Sequence, residues 1–246
     1  QGVRGAGQWD LGWGWHMATQ LMADAYETGD PRKNATLLYF RKTDDEPITP
    51  ENTNEPYGES PVSPAMGAYF NKKAYTDPAL RKEYTNKGFW VNIRLIRYSD
   101  VVLMAAEAYN ETENTAEAWK LLNSVRRRAG AREITTENYQ ELMKEKVYKL
   151  RFISDSDDAG KFRTALFWER GFELAFEGQR KYDLIRWGII KDALSLFGNR
   201  SEVNTSTTTA YPAGENFQKG KHELFPIPLD ELQLNPLLEN KNNPNY

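Results

Sequence analysis

The chain has 246 residues, a formal net charge of −3 and no cysteine. Its length suits one large domain or two small ones, and its slight acidity argues against a nucleic-acid-binding surface. The lack of cysteine excludes disulfides, thiolate catalysis and cysteine zinc sites, and no stretch approaches the ~20 apolar residues of a membrane-spanning helix.

The first 96 residues combine few helical patterns with many aromatic side chains. Trp9, Trp13 and Trp15 stand among glycines near the start of the sequence. Such tryptophans either fill a core or present a ring face to a ligand, and the sequence leaves both interpretations open. Tyr57 and Tyr69 lie in a proline-rich segment without periodicity. Its aromatic content favours a functional loop over a disordered one.

Two short elements are predicted inside this loop-rich part. Thr19 can cap a helix that ends at Gly29, because its side-chain oxygen can accept from a free N–H group of the first turn. The apolar run 37–40 is compatible with a short strand.

Regular helical patterns occupy residues 97–197. Ser99 is predicted to cap one helix, and Asn114 to cap the next, which ends at Gly130. Because about five residues join these two helices, they are expected to form an antiparallel hairpin. A further helix is predicted over residues 138–152.

The segment 165–188 holds the densest mixture of aromatic and charged residues. Its spacing predicts one helix ended by Gly178 and a shorter one ended by Gly188. Glutamates four residues apart share one face of the first helix: Glu169, Glu173 and Glu177. Glycoside hydrolases use two carboxylates roughly 5 to 10 Å apart. A charge-pairing clamp between the two helices is nevertheless the more common arrangement. The residues expected to complete that clamp are Arg170, Arg180, Asp183 and Arg186.

An acidic turn precedes that segment. Asp155, Asp157 and Gly160 occupy positions one, three and six of a calcium-loop pattern, but position twelve is Leu166 instead of glutamate, so the motif fails. The two histidines have no partners at metal-ligand spacing, and the sequence has no phosphate-binding loop and no serine nucleophile motif. The sequence therefore predicts no catalytic residue, no metal site and no cofactor.

The C-terminal residues 198–246 begin as a polar, threonine-rich loop. Pro226 and Pro228 then favour an extended path. The neighbouring Leu224 and Phe225 suggest that this path is buried against the helices.

Several segments resemble the SusD/RagB family, in the family's order and spacing. In residues 97–108 the pattern is Arg, Asp, an apolar run and then Ala-Glu-Ala. The other matching segments are 19–32, 122–130, 169–188, 225–236 and the final Asn-Pro-x-Tyr at 243–246. Together they cover most of residues 16–246. Asn245 stands where the family often has glycine, which predicts a left-handed backbone there.

The resemblance implies a mostly α fold, in which tetratricopeptide-like helix pairs pack with long irregular loops and few short strands. It makes residues 1–96 the loop-rich, ligand-facing part, 97–197 the helical core, and 198–246 a loop and an extended tail. Family members are lipid-anchored outer-membrane proteins of Bacteroidetes. They bind glycans, or in some members peptides, without cleaving them, as a lid on a SusC-like, TonB-dependent transporter.

Family members are about twice as long as this chain, which resembles only their C-terminal half. We therefore expect the N-terminal half of the family fold, with its lipid anchor, to be missing from this chain. A half-fold would expose helix faces that the other half covers, so the chain is expected to be a fragment or to need a second chain.

The leading hypothesis is non-catalytic binding of glycans at the cell surface for uptake. Sugar rings stack their C–H faces on aromatic side chains. The candidate ligand-contacting residues are Trp9, Trp13 and Tyr57, followed by Trp15 and Tyr69. One alternative is a helical-repeat scaffold that mainly contacts the transporter, and another is peptide binding. A hydrolase would need Glu173 or Glu177 to lie in an open cleft.

Overall fold

The computed structural model describes residues 18–39, 53–57, 69–77, 92–144, 150, 152–197, 213–238 and 241–246. These residues form two compact units, one that ends at Arg180 and one that begins at Lys181. Within the described ranges the structure is mostly helical, with one short two-stranded sheet, as the sequence and the family resemblance predicted.

The first unit contains the larger helices. Its helices are α1 (Gln20–Ala25), α2 (Pro31–Thr36), α3 (Tyr98–Glu111), α4 (Thr115–Ala129), α5 (Tyr139–Lys144) and α6 (Asp158–Glu173). Strand β1 (Leu37–Leu38) pairs antiparallel with β2 (Phe70–Asn71), and a 3₁₀ turn over Lys72–Ala74 follows. The predicted strand at 37–40 is confirmed in its first two residues.

Three of the predicted helix ends are confirmed, two by a capping side chain and one by a left-handed glycine. Thr19 accepts from the N–H of Met22 at the start of α1, and Asn114 accepts from that of Glu117 at the start of α4. Gly130 ends α4 with a left-handed φ of 73°. Each cap satisfies backbone groups that helix ends otherwise leave unpaired.

Two helix ends in this part of the chain differ from the prediction. α3 begins at Tyr98 without a side-chain cap, because the hydroxyl of Ser99 accepts from the guanidinium of Arg97 instead of from the backbone. α1 ends at Ala25, since Tyr26 already has extended backbone angles, and Gly29 lies in the turn beyond.

Helix α6 is the centre of the first unit, where it packs against both helices of the α3–α4 hairpin. Its buried aromatic side chains meet rings from other parts of the first unit. Trp119 of α4 lies edge-on to Phe162 with ring centroids 5.1 Å apart, and Tyr26 lies 4.6 Å from Phe172. Such pairs add about 0.5–1.5 kcal/mol each beyond the area that they bury.

The structure corrects the predicted limits of α5 and α6. α6 begins at Asp158, because the side chain of Asp157 accepts from the N–H of Gly160 at 2.7 Å, so part of the acidic turn is a helix cap. α6 ends at Glu173, where a turn with left-handed Phe176 and Gly178 takes over. Of the helix predicted over 138–152, the structure describes Tyr139–Lys144 as helical, and residues 150 and 152 are not helical.

The second unit consists of short helices and an extended tail. Its helices are α7 (Arg180–Arg186, apart from Arg180, which belongs to the first unit), α8 (Ile190–Phe197), α9 (Ala213–Asn216) and α10 (Leu229–Leu234). A 3₁₀ turn over Pro236–Leu238 follows α10. Gly188 lies after α7 with a left-handed φ of 69°, as predicted. Gly214 lets α9 approach α8 closely, because a Cβ atom there would lie 2.4 Å from the backbone nitrogen of Ser195.

The proline-containing tail is extended, as predicted, but it is not buried. The side chain of Phe225 is 74% exposed, and the ammonium of Lys181 lies over its ring. The tail is held by hydrogen bonds from asparagine side chains instead of by apolar packing. Asn242 accepts from the N–H of Ile227, and Asn243 donates to the carbonyl of Phe225. Asn245 has the predicted left-handed backbone, with a φ of 66°.

In the described part of the chain, no helix combines the length and the apolar character needed to cross a bilayer.

Candidate functional site

A network of ion pairs surrounds α6 in the described part of the first unit, and we call it the charge cluster. Its acidic members are Glu27, Asp30, Glu169, Glu173 and Glu177, and its basic members are Arg32, Lys73, Arg97, Arg126 and Arg128. The positive and negative charges of these ten side chains balance, which is the condition for burying the inner members of the cluster.

The inner part of the charge cluster is almost fully buried. One oxygen of Glu169 lies 2.7 Å from the guanidinium of Arg126, and the other lies 2.5 Å from that of Arg32. Arg126 also binds Glu27, and Arg32 also binds Asp30. Burial by itself would lower the pKa of Arg32, but Glu169 and Asp30 outweigh it and raise that pKa above its ordinary value. Each buried arginine is therefore neutralised on two sides.

The outer part of the charge cluster holds two ionised carboxylates. Glu173 binds Arg97 at 2.6 Å and also contacts Arg128. Glu177 binds Arg97 and Lys73, each at 2.6 Å. Burial would raise the pKa of both carboxyl groups, but hydrogen bonds and charges from these cations outweigh it and lower both pKa values below the ordinary range. Carboxylates held ionised in this way do not suit proton transfer near neutral pH.

The predicted partners of the glutamate row were wrong, although the glutamates do form a clamp. Their cations come from α2, α4, the residue that precedes α3 and the turn after β2. Arg170 binds Asp100 of α3, and Arg180 donates to the carbonyl of Phe167 and lies over its ring. These contacts join α6 to three other helices, so the clamp lies at the helix against which the rest of the first unit packs.

The open cleft that a hydrolase would need at the glutamate row is not present. The side chain of Glu173 is 3% exposed and that of Glu177 is 11% exposed, and both are paired with cations. Among the residues that the structure describes, no three histidine, aspartate or glutamate side chains are placed to hold a metal ion.

Four tyrosines surround the β1–β2 sheet, and we call them the tyrosine patch: Tyr39, Tyr57, Tyr69 and Tyr75. The rings of Tyr57 and Tyr75 lie 5.8 Å apart with their planes 34° from parallel. Those of Tyr39 and Tyr69 lie 6.1 Å apart, edge to face. Tyr57 is 45% exposed, whereas the other three are half-buried. The patch therefore presents one accessible ring that is backed by another ring.

Side-chain hydrogen bonds attach residues 53–57 to the sheet. Asn54 donates to the carbonyl of Leu37 and accepts from the N–H of Tyr39. Lys72, after β2, donates to the carbonyl of Asn54. The carboxylate of Glu55 accepts from the N–H of Tyr57 and from the phenol of Tyr75. The accessible ring of Tyr57 therefore lies on a segment that is hydrogen-bonded to β1 and to the turn after β2.

The structure describes two of the five predicted ligand-contacting residues, and they lie in different ring pairs beside the same sheet. Tyr57 and Tyr69 both belong to the tyrosine patch, whereas Trp9, Trp13 and Trp15 lie outside the described residues. The sequence did not single out Tyr39, Tyr75 or Glu55. Tyr39 follows β1 and Tyr69 precedes β2, so the antiparallel register places them opposite each other. Only knowledge of that strand pairing could have identified Tyr39.

A cavity of about 500 Å³ beside the charge cluster is a poorer candidate for a binding site. It is lined by residues 27–30, 130–132 and Leu142, none of them aromatic. The carboxylate of Glu27 is already bound to Arg126. The tyrosine patch has the ring faces that this cavity lacks.

Comparison with known proteins identifies the family. The SusD family model matches residues 2–246. The chain is 37% identical to SusD-like protein P25 of Formosa agariphila over 144 residues, which cover 58% of this chain and 22% of that protein. It is 27% identical to SusD-like protein P2 of the same organism over 249 residues, which cover 100% of this chain and 43% of that protein.

Solved structures have the same fold. The chain is similar to a SusD homologue from Bacteroides thetaiotaomicron, with a TM-score of 0.59 and 25% identity over 89% of this chain and 41% of that one. It is similar in fold to a SusD-like protein from Bacteroides fragilis, with a TM-score of 0.60 and 22% identity over 96% of this chain and 48% of that one. The chain spans less than half the length of each of these proteins. Because the family model matches nearly every residue, the chain belongs to the SusD family.

Proposed function

We propose that this chain binds glycans at the tyrosine patch, without cleaving them, as part of a nutrient-uptake system of Bacteroidetes. Membership of the SusD family supports the general role. The observation that carries the site is the accessible ring of Tyr57, which lies against Tyr75. Peptide binding is the alternative for the same surface.

The tyrosine patch has the physical features that sugar recognition needs. A pyranose ring has apolar C–H faces that stack on an aromatic ring, and its hydroxyl groups need polar partners at the edge of that ring. Tyr57 offers the ring, and the ammonium of Lys72, which donates to the carbonyl of Asn54, offers a polar group beside the same segment. Because Tyr75 supports Tyr57 from behind, little side-chain freedom remains to be lost on binding.

A non-catalytic role is supported by the state of the carboxylates around α6. Glycoside hydrolysis needs one carboxyl group with a raised pKa and a second one beside the substrate. Glu173 and Glu177 have lowered pKa values and are bound to cations. Their arrangement stabilises helix packing instead.

We also propose that the protein works at the outer membrane with a SusC-like, TonB-dependent transporter, and that residues 1–96 form its ligand-facing part. One observation favours the alternative in which contact with a partner is the main role. Apolar and aromatic side chains form an exposed stripe along α3: Tyr98, Val101, Met104 and Tyr109. Such a stripe is typical of a surface that another protein segment covers.

Tyr57 and Tyr109 form a matched pair for the test, because they are 45% and 42% exposed. We would measure the affinity of the protein for a panel of neutral and acidic hexasaccharides by titration calorimetry, and assay the mixtures for new reducing ends. Tyr57→Ala should lower the affinity about tenfold, the equivalent of ~1.4 kcal/mol, and Tyr109→Ala should not change it. No new reducing ends should form.

The same panel tests the rest of the proposal. Trp9→Ala and Trp13→Ala should also weaken binding if those tryptophans share the ligand. Unchanged affinity of Tyr57→Ala for every glycan would refute the site, and new reducing ends would refute the non-catalytic role. If Tyr109→Ala alone impairs co-purification with the transporter, α3 is the partner surface. If Tyr57→Ala impairs it instead, the two surfaces have been assigned the wrong way round.

A further inference from the structure

We infer that Glu55 is the positioning residue of the tyrosine patch, because its single carboxylate holds both the backbone of Tyr57 and the side chain of Tyr75. The inference rests on the proposed function, since it assigns a role within the same site. Glu55 is not expected to contact the sugar as its main role. It sets the position of the ring that does.

The contacts of Glu55 carry this assignment. Both carboxylate oxygens lie 2.9 Å from the backbone nitrogen of Tyr57, and one of them lies 2.7 Å from the phenol oxygen of Tyr75. An ionised carboxylate only accepts hydrogen bonds, and such charge-assisted bonds are about twice as strong as neutral ones. One charged group therefore connects the backbone of Tyr57 to the phenol of Tyr75.

The two tyrosines differ in how firmly the rest of the protein holds them. Tyr75 packs against Leu38 and Phe70, which are buried at the sheet. Tyr57 is far more exposed. Its preceding residue, Pro56, has a fixed φ and no N–H group to anchor this turn. The N–H of Tyr57 itself is thus the donor that fixes the turn, and Glu55 receives it.

The backbone that carries Glu55 is itself anchored. The neighbouring Asn54 binds both ends of β1 through its amide, and Lys72 binds the carbonyl of Asn54. Glu55 therefore joins the backbone that carries the exposed ring to Tyr75, whose ring packs on the core, and its own backbone is held beside the strands. Loss of its carboxylate should let the ring of Tyr57 move away from Tyr75 without unfolding the sheet.

The test uses four variants of the tyrosine patch, one control variant and the hexasaccharide of the panel that the unmodified protein binds most tightly. Glu55→Ala should lower the affinity about tenfold, whereas Glu55→Gln should recover most of it, because the amide oxygen can still accept from a tyrosine donor. Tyr75→Phe should weaken binding, and the double variant Glu55→Ala/Tyr75→Phe should bind no more weakly than Glu55→Ala, since both changes remove the same bond. Glu133→Ala removes an exposed carboxylate elsewhere and should leave the affinity unchanged.

A spectroscopic measurement without ligand checks the geometry directly. In protein labelled with ¹⁵N-tyrosine, the amide signal of Tyr57 can be assigned by its loss in Tyr57→Phe. That signal should move upfield in Glu55→Ala, because the amide loses a charged acceptor. A purely structural effect of the substitution would instead change the signals of most of the thirteen tyrosines.

The outcomes separate this inference from the proposed function. If Tyr57→Ala weakens binding and Glu55→Ala does not, Glu55 has no positioning role and the proposed site stands. If neither variant changes the affinity, both are wrong. If Glu55→Ala does not fold, the volume-conserving variants Glu55→Gln and Tyr75→Phe provide the test. Weaker binding by Tyr75→Phe, together with a shifted Tyr57 amide signal in Glu55→Gln, supports the positioning role. Unchanged binding and an unchanged amide signal overturn it.

Discussion

Arg126 of α4 and Glu169 of α6 form an ion pair of 2.7 Å in which neither side chain is more than 1% exposed. Each partner has a second ion pair, Arg126 with Glu27 and Glu169 with Arg32. The pair joins two of the helices that make up the core of the first unit. These four residues lie in the segments that resemble the SusD/RagB family. The residues by which the family can be recognised in this chain therefore include ones that hold its helices together.

Glu169→Gln should destabilise the protein severely. The amide has nearly the volume of the carboxylate but no charge, so the buried guanidiniums of Arg126 and Arg32 lose a common counter-ion. Breaking one side of a buried pair costs about 3–5 kcal/mol. Urea unfolding followed by circular dichroism measures the change.

The control for this prediction is Glu133→Gln, which breaks an exposed ion pair with Arg127. Such an exposed pair contributes little to stability, because water screens the two charges. Equal losses of stability in the two variants would contradict the role that we assign to burial in the charge cluster.

The sequence predicted the glutamate clamp but not its partners, and the reason is physical. Residues four apart share a helix face, so Glu169 and Glu173 could be placed together from spacing alone. Arg32 lies 137 positions from Glu169, and Arg126 lies 43 positions away. No local pattern encodes such contacts, because they arise only when separate helices pack. The caps at Thr19, Asn114 and Gly130 were predictable because a cap depends on residues three or four apart.

The candidate site was predictable only as an aromatic-rich segment. Tyr57 and Tyr69 stood out because an irregular segment with so many rings is unusual. Tyr75 could not be distinguished from other tyrosines until the strands placed it behind Tyr57. Glu55 carried no signal at all, since a single glutamate beside a proline is usually a solvated surface residue.

Glu177→Ala should lower the unfolding midpoint and leave ligand affinity nearly unchanged. The carboxylate binds Arg97 and Lys73 at the edge of the charge cluster, and hydrogen bonds to charged groups contribute about 1.5–3 kcal/mol each before solvent screening. For a protein of this size, each kcal/mol lowers the midpoint by roughly 2–4 °C. Calorimetric unfolding and titration with the hexasaccharide measure the two effects.

The affinity for glycan should be unchanged in Glu177→Ala. Lys73, which loses its partner, lies only two positions before Tyr75, but Tyr75 is held by Glu55 and by the sheet. The reverse result, weaker binding at an unchanged midpoint, would place the ligand at the charge cluster instead of the tyrosine patch.

Stability should fall as the pH is lowered below the ordinary carboxyl range. Arg97 and the neighbouring cations offset burial and lower the pKa values of Glu173 and Glu177 below 4.5 in the folded state. Near pH 4 the unfolded chain therefore binds more protons than the folded one, so the free energy of unfolding rises with pH. The stabilisation is fully present above the unfolded pKa and is lost as the pH falls through the lowered folded pKa.

Urea unfolding at several pH values between about 3 and 7 tests this linkage. Glu177→Gln should flatten the dependence, because one of the two linked carboxylates is gone, while the variant and the unmodified protein should converge at the acid end. An identical pH dependence in the two proteins would show that Glu177 is not ionised more readily in the folded state.

The two glycines of α6 should respond in opposite directions to the same substitution. A Cβ atom at Gly160 would lie 2.1 Å from the carbonyl oxygen of Ser154, which is backbone and cannot move aside cheaply. The atoms nearest to a Cβ atom at Gly171 would be those of the Arg180 guanidinium, at 3.7 Å or more, which is ordinary contact. Gly171→Ala should therefore stabilise the protein by up to about 1 kcal/mol, since alanine is the better helix former. Gly160→Ala should destabilise it by about 1–3 kcal/mol through overpacking beside the Asp157 cap. Urea unfolding of the two variants measures the difference. If both variants are less stable than the unmodified protein, the higher helix propensity of alanine does not stabilise α6 at position 171.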